Sequence, residues 1–225
     1  MYNDGGYLSH NPTWDAEHSD WKAARIVEMC NNHALAPSSC IEVGCGAGGV
    51  VAALGAAWPT CIFAGYDPSS DAIALAHRRA RVNLTYHHGY PPSGEYADLV
   101  VCVDVFEHVE DYLGFLRELR SHGDTFVFHI PLDMNVPSML WPSILERTRE
   151  QVGHLHYFCI ETALATLRGT GYEIVDSRVT AGCVAFPEPG LVGGCLRISR
   201  VIGHRLSPIW ASRLLGGYSL LVLAK

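Results

Sequence analysis

Residues 40–49 read Cys40-Ile41-Glu42-Val43-Gly44-Cys45-Gly46-Ala47-Gly48-Gly49, and no other segment restricts the fold as much. A strand-length apolar run passes directly into a cluster of glycines. A helical stretch, residues 50–58, follows before Pro59 stops it. Glycines in that place permit a tight turn and let backbone N–H groups approach a ligand closely, with a helix N-terminus behind them. Such a strand–turn–helix unit belongs to a parallel α/β sheet, whose ligand sits beyond the carboxyl ends of the strands. The spacing leaves two readings open. Gly44, Gly46 and Gly49 satisfy G-x-G-x-x-G, the dinucleotide pattern, and Gly44, Gly46 and Gly48 satisfy G-x-G-x-G, the turn used for S-adenosylmethionine. The loop alone specifies a nucleoside-containing cofactor.

Two carboxylates favour the second reading. Glu42 lies at the strand end beside the glycines, where it repels a pyrophosphate and attracts an ammonium such as that of a bound methionine moiety. Asp67 ends a second strand about 20 residues beyond the turn, where a carboxylate accepts hydrogen bonds from both ribose hydroxyls. The plainer alternatives are that Glu42 braces backbone amides and that Asp67 caps the following helix.

Short apolar runs alternate with helical stretches along the rest of the chain, the pattern of βαβ units. Strands are expected at residues 40–43, 60–65, 84–88, 99–103, 125–130, 172–180 and 218–224. The last two are expected to run as an antiparallel pair at the sheet edge. Helices are expected at 14–34, 50–58, 70–80, 111–121 and 160–168, the third opened by Ser69 and Ser70 and the fourth carrying Tyr112, Phe115, Leu116 and Leu119 at helical spacing. Residues 132–158 and 181–217 do not fit a bare sheet. They read as helical insertions that cover the substrate, or simply cap the core.

The 225 residues are 48% hydrophobic and 17% charged, which excludes a disordered chain and suits one large domain, residues 1–225, with residues 1–36 as an N-terminal lid and helix. The net charge is −7 and the 16 Lys and Arg form no basic run, so nucleic acid is not an expected partner. The apolar runs are too short to cross a bilayer, and no basic-then-apolar opening marks a signal peptide, so a cytoplasmic protein without membrane contact is expected. Eight scattered Cys without a Cys-x-x-Cys pair read as free thiols.

The fourth strand runs into Asp104-Val105-Phe106-Glu107-His108-Val109-Glu110-Asp111. Together with Glu42 to Gly48, Gly65-Tyr66-Asp67, Gly153-His154 with Phe158, and Gly216 to Leu221, this segment resembles the class I S-adenosylmethionine-dependent methyltransferases of small-molecule type, near the ubiquinone-pathway enzymes. The resemblance covers most of the chain from about Trp14 onward. It implies an α/β fold with a Rossmann-like, seven-stranded, mostly parallel sheet, helices on both faces and an antiparallel last strand. It implies S-adenosylmethionine as cofactor, with Glu42, Gly44, Gly46 and Gly48 at the methionine end, Asp67 at the ribose and Pro68 beside the adenine. Asp104 would close the pocket, flanked by Val105 and His108. Where relatives carry an acidic or amide residue after the third strand, this chain has His88-Gly89-Tyr90, so Tyr90 is expected to stack or hydrogen-bond there. The run Tyr7-Leu8-Ser9-His10-Asn11-Pro12-Thr13-Trp14, with Trp21-Lys22, looks like the lid of some relatives, placing Tyr7 and Trp14 over the sulfonium by cation–π contact. The alternative is plain packing of an N-terminal helix.

Methyl transfer needs a base only where the acceptor must shed a proton, and His serves near neutral pH. His154 is the first candidate because Gly153-His154 precedes the helix expected to face the cofactor. His129, at the end of the fifth strand, and His108 follow. His154-x-His156 makes a poor chelate, since alternate residues of an extended segment point to opposite faces, so no metal is expected. The acceptor is expected to be a small molecule held by a monomer or homodimer, with Met134, Met139, Trp141, Phe186 and Trp210 available for an apolar pocket. Two further readings stay open: a nicotinamide-dependent oxidoreductase on the same glycine turn, and a non-catalytic cofactor-binding protein.

Overall fold

A computed structural model describes residues 16–186 and 190–225. The expected lid residues Tyr7 and Trp14 lie outside the described residues. Seven strands form one sheet in the order β3-β2-β1-β4-β5-β7-β6. They are β1 (Ser39–Val43), β2 (Ile62–Asp67), β3 (Leu84–His88), β4 (Leu99–Val103), β5 (Phe126–Pro131), β6 (Ile174–Thr180) and β7 (Ser219–Ala224). The first five are parallel, and β7 is antiparallel to both of its neighbours.

The expected antiparallel pairing of the last two strands is present, but the pair does not sit together at the edge. The last strand, β7, inserts between β5 and β6, and β6 forms the edge. Its sequence explains the choice. Leu220 to Ala224 are all buried, as a strand covered on both faces must be, whereas β6 alternates exposed and partly buried residues. The second strand starts and ends two residues later than expected. Cys61 N–H donates to Trp58 O and closes a turn, so pairing begins at Ile62 opposite Ser39 and carries Asp67 into the strand end.

Ten helices are described: α1 (Ser19–Asn32), α2 (Gly49–Ala57), α3 (Ser70–Ala76), α4 (Tyr112–Leu119), α5 (Val136–Leu140), α6 (Ser143–Val152), α7 (Ile160–Gly169), α8 (Gly182–Ala185), α9 (Gly190–Leu206) and α10 (Pro208–Leu215). One sheet face packs against α1, α2 and α3 through Ile26, Met29, Val51, Leu54 and Ile73. The other packs against α4, α7 and α10 through Leu116, Leu119, Ala163, Leu167 and Ala211. Neighbouring strand residues feed opposite clusters, Cys40 the first and Ile41 the second, as the pleat requires. Fully buried Phe63, Phe106 and Phe128 anchor the two layers, each contributing roughly 1.5–3 kcal/mol by burial.

The helix expected at 70–80 ends at Ala76 and tightens into a 3-10 turn over His77–Arg79, because Ala80 turns extended. The helix expected from Asp111 starts one residue later, since Asp111 is its cap, accepting from the Gly114 amide at 2.9 Å. Residues 132–158 hold α5 and α6, and residues 181–217 hold α8, α9 and α10. Asn135 and Ser138 cap α5 reciprocally. Strand order reverses between β1 and β4, which opens a crevice at their carboxyl ends.

Candidate active site

A cavity of about 770 Å³ occupies that crevice. Its floor is the glycine turn. The Gly44 and Cys45 amides both donate to Tyr66 O, at 2.8 and 3.0 Å, which folds the loop back over β2. Gly44 has φ +74°, and a Cβ there would lie 2.3 Å from Val105 Cγ2, so the turn and its packing on the post-β4 segment both require glycine. Gly44 and Gly46 line the cavity, whereas Gly48 does not. Gly48 faces away, with Tyr86 filling the space of its missing side chain, and Gly49 lines the cavity in its stead. The Tyr86 hydroxyl donates to Gly48 O at 2.9 Å.

Glu42 lines the cavity at 1% exposure. Its Oε2 accepts the Val51 amide at 3.0 Å, so it also braces the start of α2. Burial pushes its carboxyl up to about 8, against the opposing pull of the Val51 amide and the Lys22 charge. Asp67 likewise does two things. Its oxygens accept the Gly46 and Ser69 amides, both at 2.8 Å, and a carboxylate oxygen with one such bond keeps further acceptor capacity. Burial raises its carboxyl and the two amides oppose the rise. Pro68 and Tyr90 line the same end.

Asp104 leaves β4 with φ +52°, a conformation that a non-glycine side chain adopts only when held. The holding groups are visible. Its amide donates to His129 O at 2.9 Å, its Oδ1 receives His129 Nδ1 at 2.7 Å, and its Oδ2 pairs with Lys22 Nζ at 2.9 Å. Burial opposes ionisation there, yet Lys22 and His129 hold the carboxyl well below the usual carboxylate range. Lys22 comes from α1, so the N-terminal helix is tied to the cavity by charge as well as by packing. Trp21 lines the cavity beside it and meets Phe186, from the end of α8, edge-on at 6.0 Å. Val105 and His108 complete this wall.

His129 has both ring nitrogens engaged, Nδ1 by Asp104 and Nε2 by Thr180 Oγ1 at 3.0 Å. That arrangement positions Asp104 and leaves no lone pair facing an acceptor. His154 is different. Its Nδ1 faces Asp133 Oδ2 at 2.6 Å, which leaves Nε2 on a ring that lines the cavity. Gly153, with φ +82°, ends α6, and the Leu155 and His156 amides donate to Glu107 O, which pins the segment across the post-β4 turn. His156 is spent elsewhere, its Nε2 on Val109 O at 3.0 Å. His108 and His154 stand edge to face with centroids 4.8 Å apart, and Glu107, His108 and His154 form a cluster of potential ligand atoms. The spacing made His154 and His156 a poor chelate, and the fold instead brings His154 beside His108. Lys22, Asp133 and Glu107 were not singled out as site residues. Asp133 carried a readable signal, an acidic residue two positions after the end of β5.

The family described as Methyltransferase domain matches residues 17–177. The chain is 29% identical over 111 residues to trans-aconitate 2-methyltransferase of Rhodopseudomonas palustris (strain BisB5), covering 46% of this chain and 43% of the relative, so it spans less than half the length of that protein. Among solved structures, a Haloferax volcanii methyltransferase complex with the Trm112 methyltransferase activator superposes with TM-score 0.69 at 14% identity, over 100% of this chain and 96% of that one. The plantazolicin methyltransferase BpumL, solved with a desmethyl substrate analogue and SAH, gives TM-score 0.61 at 14% identity, over 96% and 88% of the two chains. No helix among the described residues is long and apolar enough to cross a membrane. With the glycine turn, the flanking carboxylates and the strand order in agreement, the chain belongs to the methyltransferase-domain family, with the class I fold and S-adenosylmethionine as its cofactor.

Proposed function

We propose that this protein methylates an oxygen, nitrogen or carbon nucleophile of a small molecule in a biosynthetic pathway, as a cytoplasmic single-domain monomer or homodimer. The observation that carries the reading is a cavity lined both by Glu42, Asp67 and Asp104 and by the Asp133–His154 pair. Glu42 would face the methionine ammonium, the Gly44–Gly46 backbone its chain, Asp67 the ribose hydroxyls, and Pro68 and Tyr90 the adenine. When bound, S-adenosylmethionine supplies an electrophilic methyl group on a positively charged sulfur.

The protein's own contribution is alignment and exclusion of water. Holding two reactants in line accounts for up to about 7–11 kcal/mol of the barrier. Trp21 and Phe186 line the cavity from α1 and the end of α8, and Thr148, Val152 and Cys183 bring both insertions to its wall. Of the apolar residues expected for an acceptor pocket, Phe186 lines it, whereas Met139, Trp141 and Trp210 are exposed away from it. Where the acceptor carries a proton, His154 Nε2 receives it, and Asp133 stabilises the imidazolium so formed. General-base assistance of this kind is worth roughly 10²–10⁴-fold. Asp67 and Asp104 beside the glycine turn disfavour a pyrophosphate, which argues against the nicotinamide reading.

Calorimetric titration with S-adenosylmethionine, S-adenosylhomocysteine and NAD tests the proposal. Tight binding of both sulfur compounds is expected, and binding of NAD alone overturns it. Turnover is then sought with a panel of small acceptors that includes trans-aconitate, the acid named for the relative above. Binding without turnover of any acceptor would favour a non-catalytic role.

A further inference from the structure

We propose that Glu107, His108 and His154 form a binding site for a transition-metal dication of the zinc type on the wall of the cavity. The first observation is Glu107 itself. It is fully buried, and neither of its carboxylate oxygens has a hydrogen-bond partner among the described residues. A buried carboxyl without partners is costly in either protonation state: ionised it lacks a counter-charge, and neutral it leaves its O–H unmet. A cation held against it removes both costs.

The second observation is how the two imidazoles are held. His108 Nδ1 donates to Gly153 O at 3.1 Å, and His154 Nδ1 faces Asp133 Oδ2 at 2.6 Å. A carbonyl or carboxylate on the outer ring nitrogen is what fixes the tautomer and orientation of a metal-ligating His. Both rings are thereby set to present Nε2, and His108 Nε2 lies 3.8 Å from Glu107 Oε1. One ligand atom from each of the three residues lies within 4.8 Å of the others. Two metal–nitrogen bonds of about 2.1 Å at a tetrahedral angle set their nitrogens about 3.4 Å apart, so side-chain rotations that draw the widest pair in by roughly an ångström bring the set into range.

The third observation is the opening. His108 and His154 line the cavity, with Glu107 behind them, so the remaining coordination positions face the space where an acceptor would sit. Two imidazole nitrogens and one carboxylate suit zinc, iron, cobalt or nickel better than magnesium or calcium. Asp104 and Asp133 add negative charge around the cluster, and Lys22 partly offsets it. The open positions would take an oxygen donor, a carboxylate or hydroxyl. The site stands on the cluster alone. If the methyl-transfer reading also holds, ion and acceptor proton compete for His154 Nε2, and the loaded protein presents a Lewis acid to the acceptor where the metal-free protein presents a base.

Tag-free, chelator-treated protein is titrated with Co²⁺ and read by visible d–d absorption, with Zn²⁺ displacement read by calorimetry. One equivalent is expected for the wild type. Binding at least tenfold weaker is expected for His154→Ala and for Glu107→Gln, with His156→Ala unchanged. Should Glu107→Gln fail to fold, His108→Ala replaces it. Wild-type uptake no tighter than that of His154→Ala overturns the site. S-adenosylhomocysteine titration of the same samples keeps the two readings apart: its binding without Co²⁺ uptake sinks the metal site alone, and Co²⁺ uptake without it sinks the methyl-transfer reading alone.

Discussion

Replacing Glu42 by Gln gives a measurable pH signature. Burial raises the Glu42 carboxyl from 4.5 to about 8, and at 1.36 kcal/mol per unit this corresponds to roughly 5 kcal/mol of strain once the group is forced to ionise. The folded state keeps a proton there that the unfolded chain has lost. Stability contributed by Glu42 therefore falls as pH rises from 4.5 toward 8, then levels off. Glu107 and Asp67, also raised, act with the same sign, whereas His108, lowered to about 4, acts with the opposite sign below its ordinary 6.5. The difference between wild type and Glu42→Gln cancels those contributions. Urea unfolding at pH 6.5 and 7.5 is the assay, and the wild type is expected to lose about 1 kcal/mol relative to the variant across that unit. With the methionine ammonium placed beside Glu42 as proposed, cofactor reverses the effect, because a neighbouring cation favours the ionised form. S-adenosylhomocysteine affinity of the wild type is expected to rise several-fold over the same interval and that of the variant to stay flat. Parallel stability slopes for the two proteins would refute the reasoning.

Other substitutions probe other parts of the site. Gly44→Ala forces a side chain into a left-handed position against Val105, and a loss of about 2–4 kcal/mol by urea unfolding is expected, with cofactor affinity down at least tenfold. Asp104→Asn unpairs Lys22 and His129 together, with about 2–3 kcal/mol lost, discounted because the carboxylate is partly exposed. His154→Ala should leave cofactor affinity nearly unchanged in metal-free protein while lowering the methylation rate at least tenfold, and an unaltered rate removes it from the mechanism. Asn135→Ala breaks the cap of α5, and a loss of about 1 kcal/mol without change in cofactor affinity is expected.

What could be read along the chain is what depends on near neighbours. The strand, the glycines and the following helix are contiguous, so the backbone demands of Gly44 and Gly46 and the placement of Glu42 and Asp67 at strand ends follow from local spacing. Gly48 shows the limit of that logic. It satisfies the motif, but its direction is decided by Tyr86, 38 residues on, packing into the space it leaves. His129 likewise stood at the right strand end, and only the approach of Thr180 and Asp104 revealed that both its nitrogens are engaged.

The pairing of Glu107 and His108 with His154 was illegible for the same reason. His156, the neighbour in sequence, is turned by the fold toward Val109, while hydrogen bonds from residues 155 and 156 to Glu107 O bring His154 across a separation of more than 40 residues. Lys22 reaches Asp104 only because α1 packs on the first sheet face. By itself the amino-acid order determined the strand and helix succession, the glycine turn and the carboxylates at its strand ends, since these rest on periodicity and backbone preference. The tertiary structure alone decided where β7 inserts and which polar side chains meet around Asp104 and His154, because long-range packing, rather than spacing along the chain, sets which buried groups can satisfy one another.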